Sequence, residues 1–141
     1  MKTFTISEVR AGWVTAQLNC EQGSRTIVGS YTPNDAIRDF VDAVASLATI
    51  PNARCSWNQE PGEATWEFTR IEAVIKVAVQ SDQQYFECTF PWSRFGADVL
   101  DALRALLSTM GTTTYEREWR YPFPVEACEK LENGIHCHRP I

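Results

Sequence analysis

The sequence lacks an excess of basic side chains, a long apolar run and a glycine-rich phosphate loop. Its 141 residues include 13 Lys and Arg against 18 Asp and Glu, a formal net charge of −5. A nucleic-acid-binding protein needs a basic surface to release counterions from phosphate, so that class is not favoured. No run approaches the ~20 apolar residues of a membrane span, and the alternating first residues lack the apolar core of a signal peptide. We therefore expect a cytoplasmic protein.

Catalytic signatures are also missing. The sequence contains neither His-Glu-x-x-His nor Gly-x-Ser-x-Gly. Its two histidines, His136 and His138, both lie in the last six residues, so a Cys–His nucleophilic pair on a rigid framework is not expected. Carboxylates are plentiful, but they fall in predicted turns and on predicted solvent faces, which do not raise a pKa for acid–base work. We expect no enzymatic activity and no cofactor.

The five cysteines are odd in number and scattered, which does not indicate a disulfide framework. Several lie in apolar strand patterns, in which reduced cysteine packs as a small hydrophobe. The only dense group of thiols and imidazoles is Cys128, His136, Cys137 and His138. Zinc ligands usually come in pairs two to four residues apart, and no second close pair is present. These four residues are weak candidates for metal ligands, and we expect no structural zinc site.

Alternating polar and apolar residues predict seven short strands. In residues 13–20, Val14, Ala16 and Leu18 share one face, and two further strand patterns flank this segment. Residues 53–90 contain four more patterns, separated by turns that include Glu60–Glu63 and Ser81–Gln84. Because hairpin-like turns connect them, we expect an antiparallel sheet of about six to seven strands.

Two amphipathic helices are predicted over residues 33–48 and 94–110. Thr32 is a suitable cap for the first, and Pro33 suits the first helical position. Ser93 is a plausible cap for the second, and Gly111 suits its end. The expected fold is α+β, in the order β-β-β-α-β-β-β-β-α with a short C-terminal helix and both main helices packed on the sheet. We expect one domain over residues 1–131 and a poorly anchored tail over residues 132–141.

Candidate partner-binding residues are acidic or aromatic. Trp92 and Trp119 lie near predicted helix starts or loops, where either would be a partly exposed anchor of the kind that dominates protein interfaces. The acidic candidates lie in a turn and on the outward faces of the two helices. They are Glu60, Glu63, Asp39, Asp42, Asp98 and Asp101.

Three local patterns occur in a recognisable order. Glu60-Pro61-Gly62-Glu63 precedes Trp66, the long helix follows, and Trp119 precedes Pro122-Phe123-Pro124. Residues 28–131 thereby resemble a family of small uncharacterised bacterial proteins. That family implies no established activity. Its general build is similar to that of bacterial immunity proteins, which neutralise secreted toxins; this is an analogy of size, charge and class.

The leading hypothesis is a non-catalytic protein-binding module, most plausibly an immunity-type inhibitor that binds and masks a basic toxin domain. Net acidity, surplus tryptophan and the missing catalytic set favour it. One alternative is a small-ligand-binding protein or enzyme, with a buried carboxylate and a pocket between sheet and helices. That pocket would be lined by some of Trp57, Trp66, Tyr85 and Cys88. A structural or oligomerisation domain that uses its edge strands is the other alternative. Neither nucleic acid nor membrane is expected as a partner, and monomer and dimer both stay open.

Overall fold

The computed structural model describes residues 1–136, which form seven strands and three helices. The strands are β1 (Phe4–Arg10), β2 (Trp13–Cys20), β3 (Gly23–Ser30), β4 (Asn52–Asn58), β5 (Glu63–Ile71), β6 (Val74–Gln80) and β7 (Tyr85–Pro91). The helices are α1 (Ala36–Ser46), α2 (Trp92–Trp119) and α3 (Val125–His136). The α+β class and the antiparallel pairing are confirmed. None of these three helices is long and apolar enough to span a bilayer.

The strands form two antiparallel sheets, so the prediction of a single sheet is wrong. One sheet has the order β1-β2-β3 and the other the order β4-β5-β6-β7. Helix α1 separates β3 from β4 along the chain, and side chains rather than a ladder join these two edges. Asn58 Nδ2 donates to the Thr32 carbonyl (2.8 Å), and Gln59 Nε2 donates to that of Val28 (3.1 Å). Alternation predicts which face of a strand is buried, but it carries no information about where a sheet ends.

The two sheets share one apolar core, and Phe40 of α1 lies in the middle of it. The Phe40 ring centroid is 4.9 Å from that of Phe4 on β1. It is also 4.8 Å from Trp66 on β5 and 5.6 Å from Trp57 on β4. One helical side chain therefore contacts the inner faces of both sheets.

Helix α1 begins later than predicted. Its cap is Asp35 instead of Thr32, and the Asp35 side chain accepts a hydrogen bond from the Arg38 amide (3.1 Å). The same carboxylate accepts one from Trp119 Nε1 (2.8 Å). The choice between two acceptable caps is thus made by a contact with a residue 84 positions away, which local pattern cannot reveal.

Helix α2 is longer than predicted. It begins at Trp92, and Ser93 does not cap it. Gly111 interrupts it with φ 74° and ψ 165°, which agrees with the expected end at this glycine. Residues 112–119 then resume a helix instead of forming a loop. Tyr115 and Trp119 lie four positions apart and are both fully buried, so they give this segment its apolar face.

Helix α3 includes residues 132–136, which were predicted to belong to a poorly anchored tail. It packs closely on both other helices: a Cβ at Gly134 would lie 2.9 Å from Ala48 Cβ, and one at Gly96 would lie 2.9 Å from Ile135 Cδ1. Glycine permits these approaches. Residues 137–141, the rest of the predicted tail, lie outside the described residues.

A disulfide joins the two sheets, contrary to the expectation of reduced cysteines. Cys20 at the end of β2 and Cys88 in β7 are bonded, with their Cα atoms 5.5 Å apart. The two residues are 68 positions apart and belong to different sheets, so their spacing gave no signal. Disulfides persist mainly in oxidising compartments. The cytoplasmic location stays a prediction.

Replacement of Phe40 by alanine tests the shared core. We expect Phe40→Ala to lower the free energy of unfolding by about 3–5 kcal/mol, because it removes a ring that contacts both sheets. The control is Trp13→Ala on the exposed face of β2, which should cost about 1 kcal/mol or less. Urea denaturation measures both. Equal losses in the two variants would contradict the central position of Phe40.

Candidate functional site

The side of the four-stranded sheet that points away from the core is exposed to solvent. In β5, Glu67 is exposed, whereas its neighbours Trp66 and Phe68 are buried. We call this side the outer face. The strand register places on it, among others, Arg54, Glu63, Thr65, Glu67, Ile71, Val74, Lys76, Gln80, Tyr85 and Glu87.

Three large apolar side chains are exposed on the outer face. Tyr85, which pairs with Gln80 at one end of the sheet, is 57% exposed. Ile71 and Val74 pair with each other at the opposite end and are 69% and 46% exposed. Loss of solvent around the Tyr85 hydroxyl, and the nearby Glu87, raise the pKa of this phenol, so it stays a neutral hydrogen-bond donor. Tyr85 and the Ile71–Val74 pair are therefore two separate apolar groups at opposite ends of the face.

Carboxylates are numerous at the Tyr85 end of the outer face. Three belong to the outer face, and two more lie in the turns at its Tyr85 end; the five are Glu60, Glu63, Glu67, Asp82 and Glu87. The face carries two basic side chains, Arg54 and Lys76. Lys76 Nζ lies 3.4 Å from a Glu87 oxygen. Within residues 1–136 the other four carboxylates form no ion pair, so the face has an uncompensated negative charge.

The turn that carries Glu60 and Glu63 packs against the turn between β6 and β7. Gly62 has φ +79°, a conformation that favours glycine. A Cβ at Gly62 would also overlap the Asp82 carboxylate. The positive φ favours glycine here, and the close approach brings the acidic residues of the two turns together.

The acidic pair on α2 contacts the N-terminal segment of the chain. Asp98 is buried and accepts hydrogen bonds from the Thr3 amide and hydroxyl, both at 2.7 Å. Its prediction as an outward partner-binding residue is wrong, because the N-terminal segment covers this side of the helix. Asp101 is half exposed, and Lys2 Nζ lies 2.5 Å from it.

The acidic pair on α1 is also engaged locally. Asn34 Nδ2 donates to Asp39 (2.6 Å), and the Arg38 guanidinium lies 3.9 Å from Asp39 and 4.0 Å from Asp42. Helix α1 packs on the inner side of the sheets. Among the predicted acidic residues, only Glu60 and Glu63 therefore lie at the outer face or its turns.

The two predicted tryptophan anchors are both fully buried, so neither is available to a partner. The Arg70 guanidinium lies 5.3 Å from the Trp92 ring centroid, and Trp119 Nε1 donates to Asp35. Among the exposed aromatic residues that sequence analysis did not assign to a partner, Tyr85 is 57% exposed, against 37% for Trp13 and 36% for Tyr31. The sequence pattern could have indicated the exposure of Tyr85, because the alternation of β7 places it on the same face as Glu87.

The four residues proposed for a pocket between sheet and helices cannot line one. Trp57 and Trp66 are buried with ring centroids 5.1 Å apart, and Cys88 is also on the inner side. Tyr85 is on the opposite face of the sheet. Of the residues named for this alternative, three thus belong to the core and Tyr85 belongs to the surface.

A buried carboxylate does occur elsewhere, at the start of α1. Asp35 is 8% exposed, and its Oδ1 accepts hydrogen bonds from both Trp119 Nε1 and the Arg38 amide. Burial raises the pKa of Asp35, while these two hydrogen bonds act in the opposite direction. Sequence analysis missed this residue because its burial depends on Trp119.

The candidate metal ligands are not assembled within the described residues. Cys128 and His136 lie eight residues apart on α3, roughly 12 Å along the axis, which is too far for one zinc ion. Burial raises the pKa of Cys128 to about 11, although Arg104 opposes it, so this thiol is protonated at neutral pH. Residues 1–136 contain no group of three possible ligands. Cys137 and His138 lie outside the described residues.

Comparisons with known proteins found no matching family model, curated protein or solved structure. The resemblance to a bacterial family stays a prediction for this reason. Function is therefore inferred from the outer face and from Asp35.

Replacement of Asp35 by asparagine tests the cost of the buried charge. Asparagine keeps an acceptor for Trp119 and the Arg38 amide but removes the charge. The pKa of Asp35 is higher in the folded state than its unfolded value of 3.8. The stability that Asp35 contributes is therefore fully present below pH 3.8 and is lost as the pH rises through the folded-state pKa. We expect Asp35→Asn to be at least as stable as the parent at pH 7, and any advantage to disappear at pH 3.

Urea denaturation at the two pH values measures this difference. Asp35→Ala is the matched control, since it leaves the Trp119 indole without its acceptor. It should lower the free energy of unfolding by about 1–3 kcal/mol at both pH values. An Asp35→Asn variant that loses stability at pH 7 but not at pH 3 would show that the charge is stabilising.

Proposed function

We propose that the protein is a non-catalytic protein-binding module whose outer face binds a basic partner. The observation that carries this proposal is the exposed Tyr85 at an end of the sheet where carboxylates outnumber basic side chains. The partner class is a basic toxin domain, which the module masks as an immunity-type inhibitor. The net charge of −5 suits such a partner.

Charge on the outer face supports the choice of a basic partner. Five carboxylates stand against Arg54 and Lys76, and Lys76 is already paired with Glu87. A surface of this kind attracts a cationic protein and speeds the encounter, most strongly at low ionic strength. It also repels nucleic acid.

Tyr85 supplies an apolar contact surface that charged side chains do not. Tyrosine is enriched among residues that dominate binding energy, since it combines a large apolar surface with a polar tip. The β6–β7 ladder fixes its backbone, and the disulfide at Cys88 holds the same strand to β2. A pre-ordered face loses less conformational entropy on binding than a loop would.

A structural or oligomerisation role is the second candidate, favoured by the exposed Ile71 and Val74. Two copies that paired through the outer face would bury this apolar end. They would also bring Glu63, Glu67 and Glu87 of both copies together, which is unfavourable. Charge repulsion thus favours a basic partner over a second copy.

The experiment is an affinity capture from lysate of the native host, at about 50 mM and about 500 mM salt. We expect one basic protein, recovered in stoichiometric amount at low salt. Tyr85→Ala and Glu63→Lys should each weaken its binding by about tenfold or more, as loss of an anchor or a charge pair does. Glu129→Lys on α3 is the control with the same charge change and should leave binding intact.

Two outcomes would contradict the proposal. One is recovery of no partner at low salt. The other is a partner whose binding is unaffected by both outer-face variants. Light scattering of the purified protein tests the oligomerisation role by measuring its molar mass. A dimer that Ile71→Lys dissociates would support that role.

A further inference from the structure

A cleft lies between the start of α1 and the segment that connects α2 to α3. It encloses about 330 Å³, at the lower end of the usual size for small-ligand sites. It is separate from the outer face and shares no residue with it. The residues that line it are Asp35, Arg38 and Tyr121–Ala127.

One carboxylate oxygen of Asp35 is available in this cleft. Both hydrogen bonds to the side chain are accepted by Oδ1. Oδ2 accepts none from residues 1–136, and it is not among the buried polar atoms that are sealed from solvent. Asp35 is nine-tenths buried and lines the cleft, so Oδ2 is the oxygen left to accept a further hydrogen bond there.

The ionised side chains that line the cleft carry a net negative charge, which opposes the positive dipole ends of α1 and α3 beside it. Asp35 and Glu126 are acidic and Arg38 is basic, which leaves one negative charge. The Arg38 guanidinium is directed along α1 towards Asp39 and Asp42, at 3.9 and 4.0 Å. A bound cation would thus meet the Asp35 carboxylate, and the nearest basic side chain, Arg38, also interacts with Asp39 and Asp42.

The walls of the cleft are apolar and held in place. Tyr121 and Phe123 are partly buried, with Pro122 and Pro124 beside them. The Tyr121 hydroxyl donates to the Tyr31 carbonyl (2.7 Å), and the Phe123 ring centroid is 5.2 Å from that of Tyr115. Such walls suit the methylene stem of a long cationic side chain.

We propose that this cleft binds a primary ammonium group on an alkyl stem, as in a lysine side chain or a free alkylamine. One available oxygen suits an ammonium, which binds as a point charge with rotatable donors. A guanidinium prefers two oxygens in a bidentate pair, and Oδ1 already accepts two hydrogen bonds. This site goes beyond the proposed function, because it uses no residue of the outer face.

The experiment follows the indole N–H of Trp119 by ¹⁵N NMR, since this group donates to the same carboxylate. Trp119→Phe assigns its resonance. Probes are N-acetyl-lysine methylamide, n-butylamine and, as the uncharged control, N-acetyl-norleucine methylamide. We expect a saturable shift with the lysine probe and none with norleucine. An equal response to butylamine assigns the site to free amines as well, and a response to lysine alone assigns it to protein side chains.

Two variants separate binding from folding. Asp35→Asn should reduce the affinity for the lysine probe about tenfold or more, while its retained indole resonance shows that the cleft is intact. Glu126→Lys should also weaken binding, whereas Glu129→Lys should not. The proposal is overturned if no saturable shift occurs up to about 20 mM probe or if norleucine is equally effective. Unchanged affinity in Asp35→Asn, or tighter binding of N-acetyl-arginine methylamide, would also overturn it.

Discussion

The packing of Phe40 between the two sheets is the constraint on which the other features depend. Its ring contacts Phe4 from one sheet and Trp57 and Trp66 from the other. Each sheet must therefore turn its apolar side inwards, towards α1. Because strand side chains alternate, the other side of each strand is then exposed. The composition of the outer face follows: Glu67 and Glu87 lie there because Trp66 and Cys88 are required inside.

The hydrogen bond between Trp119 and Asp35 ties the C-terminal helices to this core. It joins the cap of α1 to the end of α2 and encloses a carboxylate that would otherwise be hydrated. A buried charge carries a desolvation cost, which is expressed in the raised pKa of Asp35. Asp35, the acceptor in this contact, also lines the cleft. A structural cap and a candidate ligand-binding group are thus the same residue.

Local features of this fold could be predicted from the sequence, and long-range ones could not. The alternation in residues 13–20 placed Val14, Ala16 and Leu18 on one face, and all three are buried; Gly111 marked a helix break. The division into two sheets and the Cys20–Cys88 disulfide depend on residues far apart in the chain. The burial of Trp119 has the same origin, since its partner is 84 positions away. These contacts decide which aromatic residue is exposed, and so they decide where the candidate site lies.

The shared core makes the two sheets one cooperative unit. The most direct measurement is equilibrium unfolding followed in parallel by tryptophan fluorescence, far-UV circular dichroism and calorimetry. A shared core predicts coincident transitions and a calorimetric enthalpy equal to the van't Hoff enthalpy. Two separate transitions, with one sheet unfolding before the other, would contradict it.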